Sequence, residues 1–275
     1  VTKIEWTDET WNPTRGCSRV SEGCRYCYAE RQAARNLPGS RSPTTGEAFA
    51  ILTDSGPRWT GKVELIESKL TEPLHWKTPR RVFVNSMSDL FHEQLPDEAI
   101  DRVFAVMEVT RHITYQVLTK RAERQRAYII NRWRRVGGLL SEQGKRPLDN
   151  VWLGVSVEDK TNKYRIDLLR QTPAAVRFLS IEPLLEDIGE LDLTGVHWGI
   201  VGGESGPQAR PCDLAWIEST VDQFGSAGVP LFVKQVGTRP GYQRKNGWRD
   251  IDLKDSKGGN WDEWPQKLRV REFPR

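Results

Sequence analysis

The chain has 275 residues, with Lys and Arg numbering 41 against 37 Asp and Glu, a formal net charge of +4 and a pI near 8.9. Charged residues make up 28% and apolar ones 37%, and no window approaches the apolar length of a bilayer span, so the composition excludes a membrane-embedded chain. The length permits a substantial single core of the size α/β barrels reach, and the mild basic excess permits a nucleic-acid partner without demanding one.

The opening residues Val1 to Trp6 carry no basic start followed by an apolar run, so a soluble, cytoplasmic protein with reduced thiols is expected. Residues 5–13 read as a short strand stopped by Pro13. Next comes a loop holding three of the four cysteines, Cys17, Cys24 and Cys27, spaced C-x6-C-x2-C. Thiolates are soft ligands, and a tight cysteine cluster in a reducing compartment points to metal binding rather than to a disulfide. Cys24 and Cys27 can grip one centre from a single turn helped by Gly23, while Cys17 returns from a six-residue loop. Cys212 lies far along the chain with no cysteine neighbour. The local site is therefore three-coordinate with one position open.

Structural zinc sites are normally closed by four protein ligands. A 4Fe–4S cluster held by only three cysteines instead leaves one iron free for a ligand from solution, the arrangement that binds and cleaves S-adenosylmethionine (SAM). The rival is zinc on the same cysteines plus one of His75, His92, His112 or His197. Such a zinc would merely shape a loop in a nucleic-acid-binding module, and none of these histidines is close enough in sequence to make a zinc pattern.

After Cys27, Tyr28 to Arg35 has strong helix formers. Residues 36–62, dense in Gly, Pro, Ser and Thr, read as an irregular insertion of the kind that forms functional lids. A helix near Lys69 to Trp76 follows. Then β-branched and aromatic runs alternate with amphipathic ones. Strands are expected over 81–85, 114–119, 151–157, 176–181, 197–201 and 230–235, and helices over 96–107, 121–135, 162–170 and 214–227. That alternation argues a parallel sheet with crossover helices, closing as a full or partial barrel. The stretch from Arg239 to Arg275 loses periodicity and reads as an extension packed on the barrel and ordered by its tryptophans. Most of the eleven tryptophans are expected in the core, although aromatic surfaces also stack bases.

The strand ends are polar in a patterned way: Asn85-Ser86-Met87-Ser88-Asp89, Thr119-Lys120-Arg121, Ser156-Val157-Glu158, Ser180-Ile181-Glu182 and Gly202-Gly203-Glu204. In β/α barrels reactive groups collect at this rim. The basic helix Arg121 to Arg135 reads as a solvated outer face rather than a phosphate contact. Arg210, Lys234 and Arg239, near later strand ends, are better placed to meet an anionic substrate.

With these motifs the chain resembles radical SAM proteins of the spore photoproduct lyase-like branch. More closely, it resembles a phage-associated family with a three-cysteine motif and a widened first gap. The resemblance implies an α/β fold, a partial (β/α)6-type TIM barrel over residues 1–238 with the cluster loop at 13–28, and the extension at 239–275. It implies that Cys17, Cys24 and Cys27 hold three irons of a 4Fe–4S cluster and that Tyr28 is the aromatic following the third cysteine. Asn85, Ser86, Ser88 and Asp89 would meet the SAM amino group, Lys120 its carboxylate, and Ser156 and Glu158 its ribose, with Glu182 and Glu204 facing cofactor or substrate. The implied activity is reductive cleavage of SAM to a 5′-deoxyadenosyl radical for nucleic-acid modification or repair, on a nucleic acid or nucleotide. A flavodoxin- or ferredoxin-type electron donor, and an accessory protein, are the implied partners. SAM-dependent methyl or aminocarboxypropyl transfer is the second enzymatic reading. Two features depart from the pattern: the first cysteine gap is six residues rather than three, so the loop must bulge, and Gly-Gly-Glu follows the sixth strand rather than the second. A glycine turn with a capping acid stands equally well for Glu204.

Overall fold

The computed structural model describes residues 2, 4–35, 37–137 and 147–274, with the side chains of 133 and 135–137 excepted. Val1 and Lys3 of the opening segment, Asn36 at the start of the expected insertion and the side chain of Arg135 lie outside the described residues. The chain forms two compact units, Val1–Gly154 with Gln171–Ala175, and Val155–Arg170 with Val176–Arg275.

In the first unit, β1 (Glu9–Trp11) and β2 (Thr14–Arg15) flank Pro13, whose ring cannot donate to a ladder. After the cysteine loop come α1 (Tyr28–Ala33), β3 (Ala50–Thr53), β4 (Gly56–Trp59), β5 (Glu64–Leu65) and α2 (Glu67–Leu70). The segment expected to be irregular thus contains an antiparallel hairpin, β3 with β4, in register from Ala50↔Trp59 to Thr53↔Gly56. β2 pairs antiparallel with β5 through Thr14↔Leu65 and Arg15↔Glu64, closing the loop that contains the cysteines.

The βα rhythm follows: β6 (Arg80–Val84), α3 (Asp97–Val109), β7 (Ile113–Thr119), α4 (Ala122–Gly137) and β8 (Val151–Ser156). β6 pairs parallel with both β1 and β7. α3 begins after Pro96 with Asp97 and Glu98 in its first turn, where acids favour a helix N-terminus. It buries Ile100, Val103, Phe104 and Met107, one stripe at helical spacing. Its opposite edge carries Asp97, Asp101 and Glu108, which accept Arg124, Tyr128 and Arg132 of α4 at 3.2, 2.6 and 3.1 Å. The basic helix is therefore latched to its acidic neighbour through Arg124, Tyr128 and Arg132, while Glu123, Asn131 and Arg134 form its solvated face.

The second unit holds α5 (Tyr164–Arg170), β9 (Val176–Ile181), β10 (Trp198–Gly202), β11 (Cys212–Asp213), α6 (Leu214–Ala227), β12 (Leu231–Gln235), β13 (Pro240–Arg244) and β14 (Gly247–Asp250). β10 pairs parallel with β9 and β12, and every residue of it is buried, as expected for a parallel strand covered on both faces. α6 is capped by Asp213, which accepts Ala215 N–H, and ends at Gly228 in the left-handed conformation.

The fold is mixed α/β, and its main sheet runs β1-β6-β7-β8-β9-β10-β12. A separate three-stranded sheet, β11-β13-β14, takes in the start of the expected extension. Beyond it, Trp264 and Leu268 are buried, Val233 N–H donates to Val270 O, and Arg271 lies over the rings of Phe232, Trp261 and Trp264. These contacts hold the C-terminal residues on β12. No helix among the described residues is long and apolar enough to cross a membrane.

Candidate functional site

The first unit brings the cysteine loop against the segment that follows β6. Gly16 forms a bridge with Ser88. Thr14 Oγ1 and Ser88 Oγ lie 2.7 Å apart, and Asn12 Oδ1 accepts both Ser86 Oγ at 3.1 Å and Met87 N–H at 2.9 Å. Tyr28, at the start of α1, donates its hydroxyl to Ser86 O at 2.6 Å. Residues 12–16 and 85–88 are thus laced together across about seventy positions of chain, which fixes where the loop begins and where α1 leaves it. Gly16 is required at this crossing: its φ is +88°, and a Cβ there would stand 1.9 Å from Lys62 O.

Asp89 and Arg121 form the buried support of the loop. Asp89 accepts Thr119 Oγ1 at 2.7 Å, Phe91 N–H at 3.0 Å, Lys120 N–H at 3.2 Å and Arg121 Nη1 at 3.1 Å. Arg121, only 4% exposed, donates onward to Ser18 O and Oγ, to both oxygens of Glu93, and to Cys17 Sγ at 3.8 Å. Burial opposes its charge, but Asp89 and Cys17 outweigh that and hold the guanidinium firmly protonated. Arg121 was expected at the head of a solvated helix. It lies instead just before α4, at the C-terminal end of β7, where a side chain points at the loop rather than away from the sheet. The signal was present in Thr119-Lys120-Arg121: the strand-end pattern extends one residue further than the lysine.

The three thiols sense one another electrostatically. Burial pushes the Cys17 thiol up to about 12, with Asp89 adding to the rise and Arg121 opposing it. Burial also raises Cys27, against which the backbone N–H groups of Glu30 and Ala29 favour the thiolate. His92 is buried, and its Nε2 lies 2.8 Å from Ser18 Oγ. Its Nδ1 accepts Gln94 N–H at 3.2 Å, which assigns the proton to Nε2. Burial and then Arg121 lower its pKa, so it is neutral at pH 7. Neither ring nitrogen of His92 is left for a metal. His112 Nε2 is engaged with Trp76 O, and His197 Nδ1 accepts Arg177 N–H.

Among the described residues no three His, Cys, Asp or Glu side chains converge tightly enough to chelate one metal ion. The donor chemistry nevertheless fits an iron–sulfur cluster: three soft thiols on one loop, a fixed guanidinium beside the first and backbone N–H groups facing the third.

The residues expected around SAM divide sharply. Ser86, Ser88 and Asp89 have their polar atoms engaged in internal hydrogen bonds. Asn85 differs. It is 3% exposed, its backbone is left-handed at φ 64°, and its Oδ1 accepts Thr14 N–H at 3.3 Å. Its Nδ2 is buried without a partner among the described residues. Asn is one of the few side-chain-bearing residues that adopt this backbone readily, and its buried donor is one that an acceptor would satisfy. Being a donor, Nδ2 matches a carboxylate or a ring nitrogen, while Oδ1 keeps a lone pair beyond its bond to Thr14 N–H. Lys120 ends β7 beside Asp89.

In the second unit, Glu158 is fully buried and paired at 2.8 Å with Arg165, itself 2% exposed, and Arg165 also donates to Ser156 O. Glu158, expected at the ribose, is thus engaged in an internal ion pair, and Ser156 is buried. Glu182 pairs with Lys234 at 3.2 Å and packs on Gly202, where a Cβ would lie 2.7 Å from its Oε1. Glu204 grips Arg210 through Nε, Nη2 and N–H at 2.8, 2.7 and 2.9 Å and so closes the 204–210 loop. Two of the three cations expected to meet an anion, Lys234 and Arg210, thus already hold a carboxylate.

No curated protein and no solved structure matches the chain. The family model described as a protein of unknown function, DUF5131, matches residues 1–265, and the chain belongs to that family.

Proposed function

We propose that the chain is a radical SAM enzyme acting on a nucleic acid or nucleotide, with a barrel of the radical SAM kind as its scaffold. The observation that carries this reading is Cys17, Cys24 and Cys27 on one loop with Arg121 locked beside Cys17. The three thiolates would hold a 4Fe–4S cluster, which when reduced by a flavodoxin- or ferredoxin-type donor supplies the electron that cleaves SAM to a 5′-deoxyadenosyl radical. Arg121 offsets the negative charge gathered on the loop. Asn85 Nδ2 donates to an acceptor of SAM, and Lys120, at the next strand end, pairs with its carboxylate. Tyr28, donating to Ser86 O, ties the start of α1 to the segment after β6. An accessory protein delivering substrate and a cytoplasmic location complete the reading.

Anaerobic reconstitution with iron and sulfide tests it. The expected result is a brown protein absorbing near 400 nm that, with dithionite and SAM, releases 5′-deoxyadenosine. Colourless protein with stoichiometric zinc would replace this reading with the zinc-shaped binding module, and methylated or aminocarboxypropylated product without 5′-deoxyadenosine would replace it with alkyl transfer.

A further inference from the structure

The cysteine loop and the insertion that follows it carry a charge the rest of the chain lacks. Residues 13–62 contain eight Lys and Arg against four Asp and Glu, which accounts for the whole formal net charge of +4. They also hold five of the nine exposed large apolar side chains among the described residues, Val20, Tyr28, Leu37, Ile51 and Leu52, so the exposure is concentrated rather than scattered.

The arrangement is specific. α1 buries Ala29, Glu30 and Ala33, which leaves Tyr28 exposed and Arg31 half-buried on the helix, with Arg35 exposed in the turn that follows it. The buried Glu30 accepts Trp59 N–H of β4 at 2.9 Å and pairs with Arg19, which itself donates to Pro57 O, so the hairpin is fastened to α1. On that hairpin Arg58 stands opposite Ile51, and Leu52 projects beyond it at 76% exposure. Arg31, Arg35 and Arg58 have no carboxylate partner among the described residues. Arg124 and Arg132 of α4 contrast with them, being paired with acids of α3.

Guanidinium groups on a rigid frame, an exposed tyrosine beside them and an aliphatic tip projecting from a short hairpin match one partner class. Phosphates would meet the arginines, and Leu52 with Ile51 would enter between base pairs, as apolar wedges do when they unstack a step. We propose that α1 and the β3–β4 hairpin form a duplex nucleic-acid-binding surface, with Arg31, Arg35 and Arg58 on the phosphate backbone and Leu52 as a wedge that opens the helix beside the cysteine loop. This rests on the reading of that loop as a centre acting on nucleic acid and names the form of substrate it takes.

Fluorescence anisotropy with the full-length chain and a labelled 20-base-pair DNA duplex tests the surface directly. Wild type should bind with a steep salt dependence, and a duplex with a central mismatch should bind several-fold more tightly because unpairing is easier there. Arg31→Ala/Arg35→Ala/Arg58→Ala should lower the log–log salt slope by about two to three, near 0.9 for each lost phosphate contact. Leu52→Ser should leave that slope intact and erase the preference for the mismatch. Arg124→Ala is the control and should bind as wild type. Wild type that binds no duplex, or a triple variant with an unchanged slope and a circular dichroism spectrum like wild type, overturns the surface. Iron content and 5′-deoxyadenosine release report separately on the cysteine loop, so protein that binds duplex but takes up no iron refutes the catalytic reading and leaves the surface standing.

Discussion

Arg121 Nη1 lies 3.8 Å from Cys17 Sγ and 3.1 Å from Asp89 Oδ2, so one edge of a buried guanidinium serves a thiol and a carboxylate together. Arg121→Gln leaves Asp89 buried with an uncompensated charge and should cost about 3 kcal/mol, within the range for breaking one side of a buried pair. Arg121→Gln with Asp89→Asn removes both charges and should recover about half of that loss. Both variants should take up less iron than wild type at pH 7.5, because Cys17 loses the cation that favours its thiolate. Urea unfolding and iron assays on the two variants give the check. A double variant as unstable as the single one would show that charge pairing is not what Arg121 contributes.

Asn85 separates backbone need from ligand need. Glycine adopts the left-handed φ of 64° without cost, so Asn85→Gly should stay folded, losing about 1 kcal/mol for the acceptor of Thr14 N–H. Its unused Nδ2 vanishes as well. Affinity for SAM should then fall about tenfold, the worth of one hydrogen bond. Equilibrium binding of SAM to reconstituted protein measures this. Unchanged affinity would return Asn85 to a purely conformational role.

Much of this architecture was readable in the chain because it rests on local pattern. β9 and α6 fall where the β-branched run of 176–181 and the amphipathic run of 214–227 place them. The hairpin β3–β4 escaped notice because four-residue strands amid Gly, Pro and Thr carry too little periodicity to stand out. The roles of Asp89 and Arg121 escaped for another reason. Their partners lie between 2 and 104 residues away, and only the packed fold shows that a strand-end acid already has four donors. Polar residues at a barrel rim announce a site without saying which of them face the ligand.

Proton release on metal loading follows from the raised thiols. Cys17 titrates at about 12 and Cys27 is raised as well, so both are protonated in the folded chain at neutral pH. A thiophilic ion must displace those protons. With cobalt(II) as the anaerobic probe, affinity should rise at least about a hundredfold per pH unit between pH 7 and 8.5, tenfold for each of Cys17 and Cys27 ionised. Protons should appear in unbuffered solution as the thiolate-to-cobalt absorption grows. A flat pH profile would mean the thiols are already ionised.

Gly16→Ala tests the crossing of the loop over the segment after β6. The added methyl would stand 1.9 Å from Lys62 O at a φ of +88°, so the backbone must shift and the Gly16–Ser88 bridge must open. The expected cost is at least about 2 kcal/mol, combining the left-handed penalty with the clash. Iron uptake should fall in parallel. A variant with wild-type stability and wild-type iron would show that the crossing has room to move.

Cys212 separates the buried thiol from the binding thiols. It is fully buried, and desolvation first, then Asp213, raises it to about 12 from an ordinary value of 9.0. Because its folded pKa lies above its unfolded one, its contribution to stability is fully present below pH 9 and is lost as pH rises towards 12. Three units of difference set an upper bound of about 4 kcal/mol on that loss. Cys212→Ala should therefore flatten the alkaline fall in stability between pH 9 and 11 while costing about 1 kcal/mol at pH 7 for the sulfur's packing. It should leave iron content at the wild-type level, whereas Cys24→Ala should abolish it. Loss of iron in the Cys212 variant, with its fold intact, would give the centre a fourth protein ligand and remove the open position on which SAM binding depends.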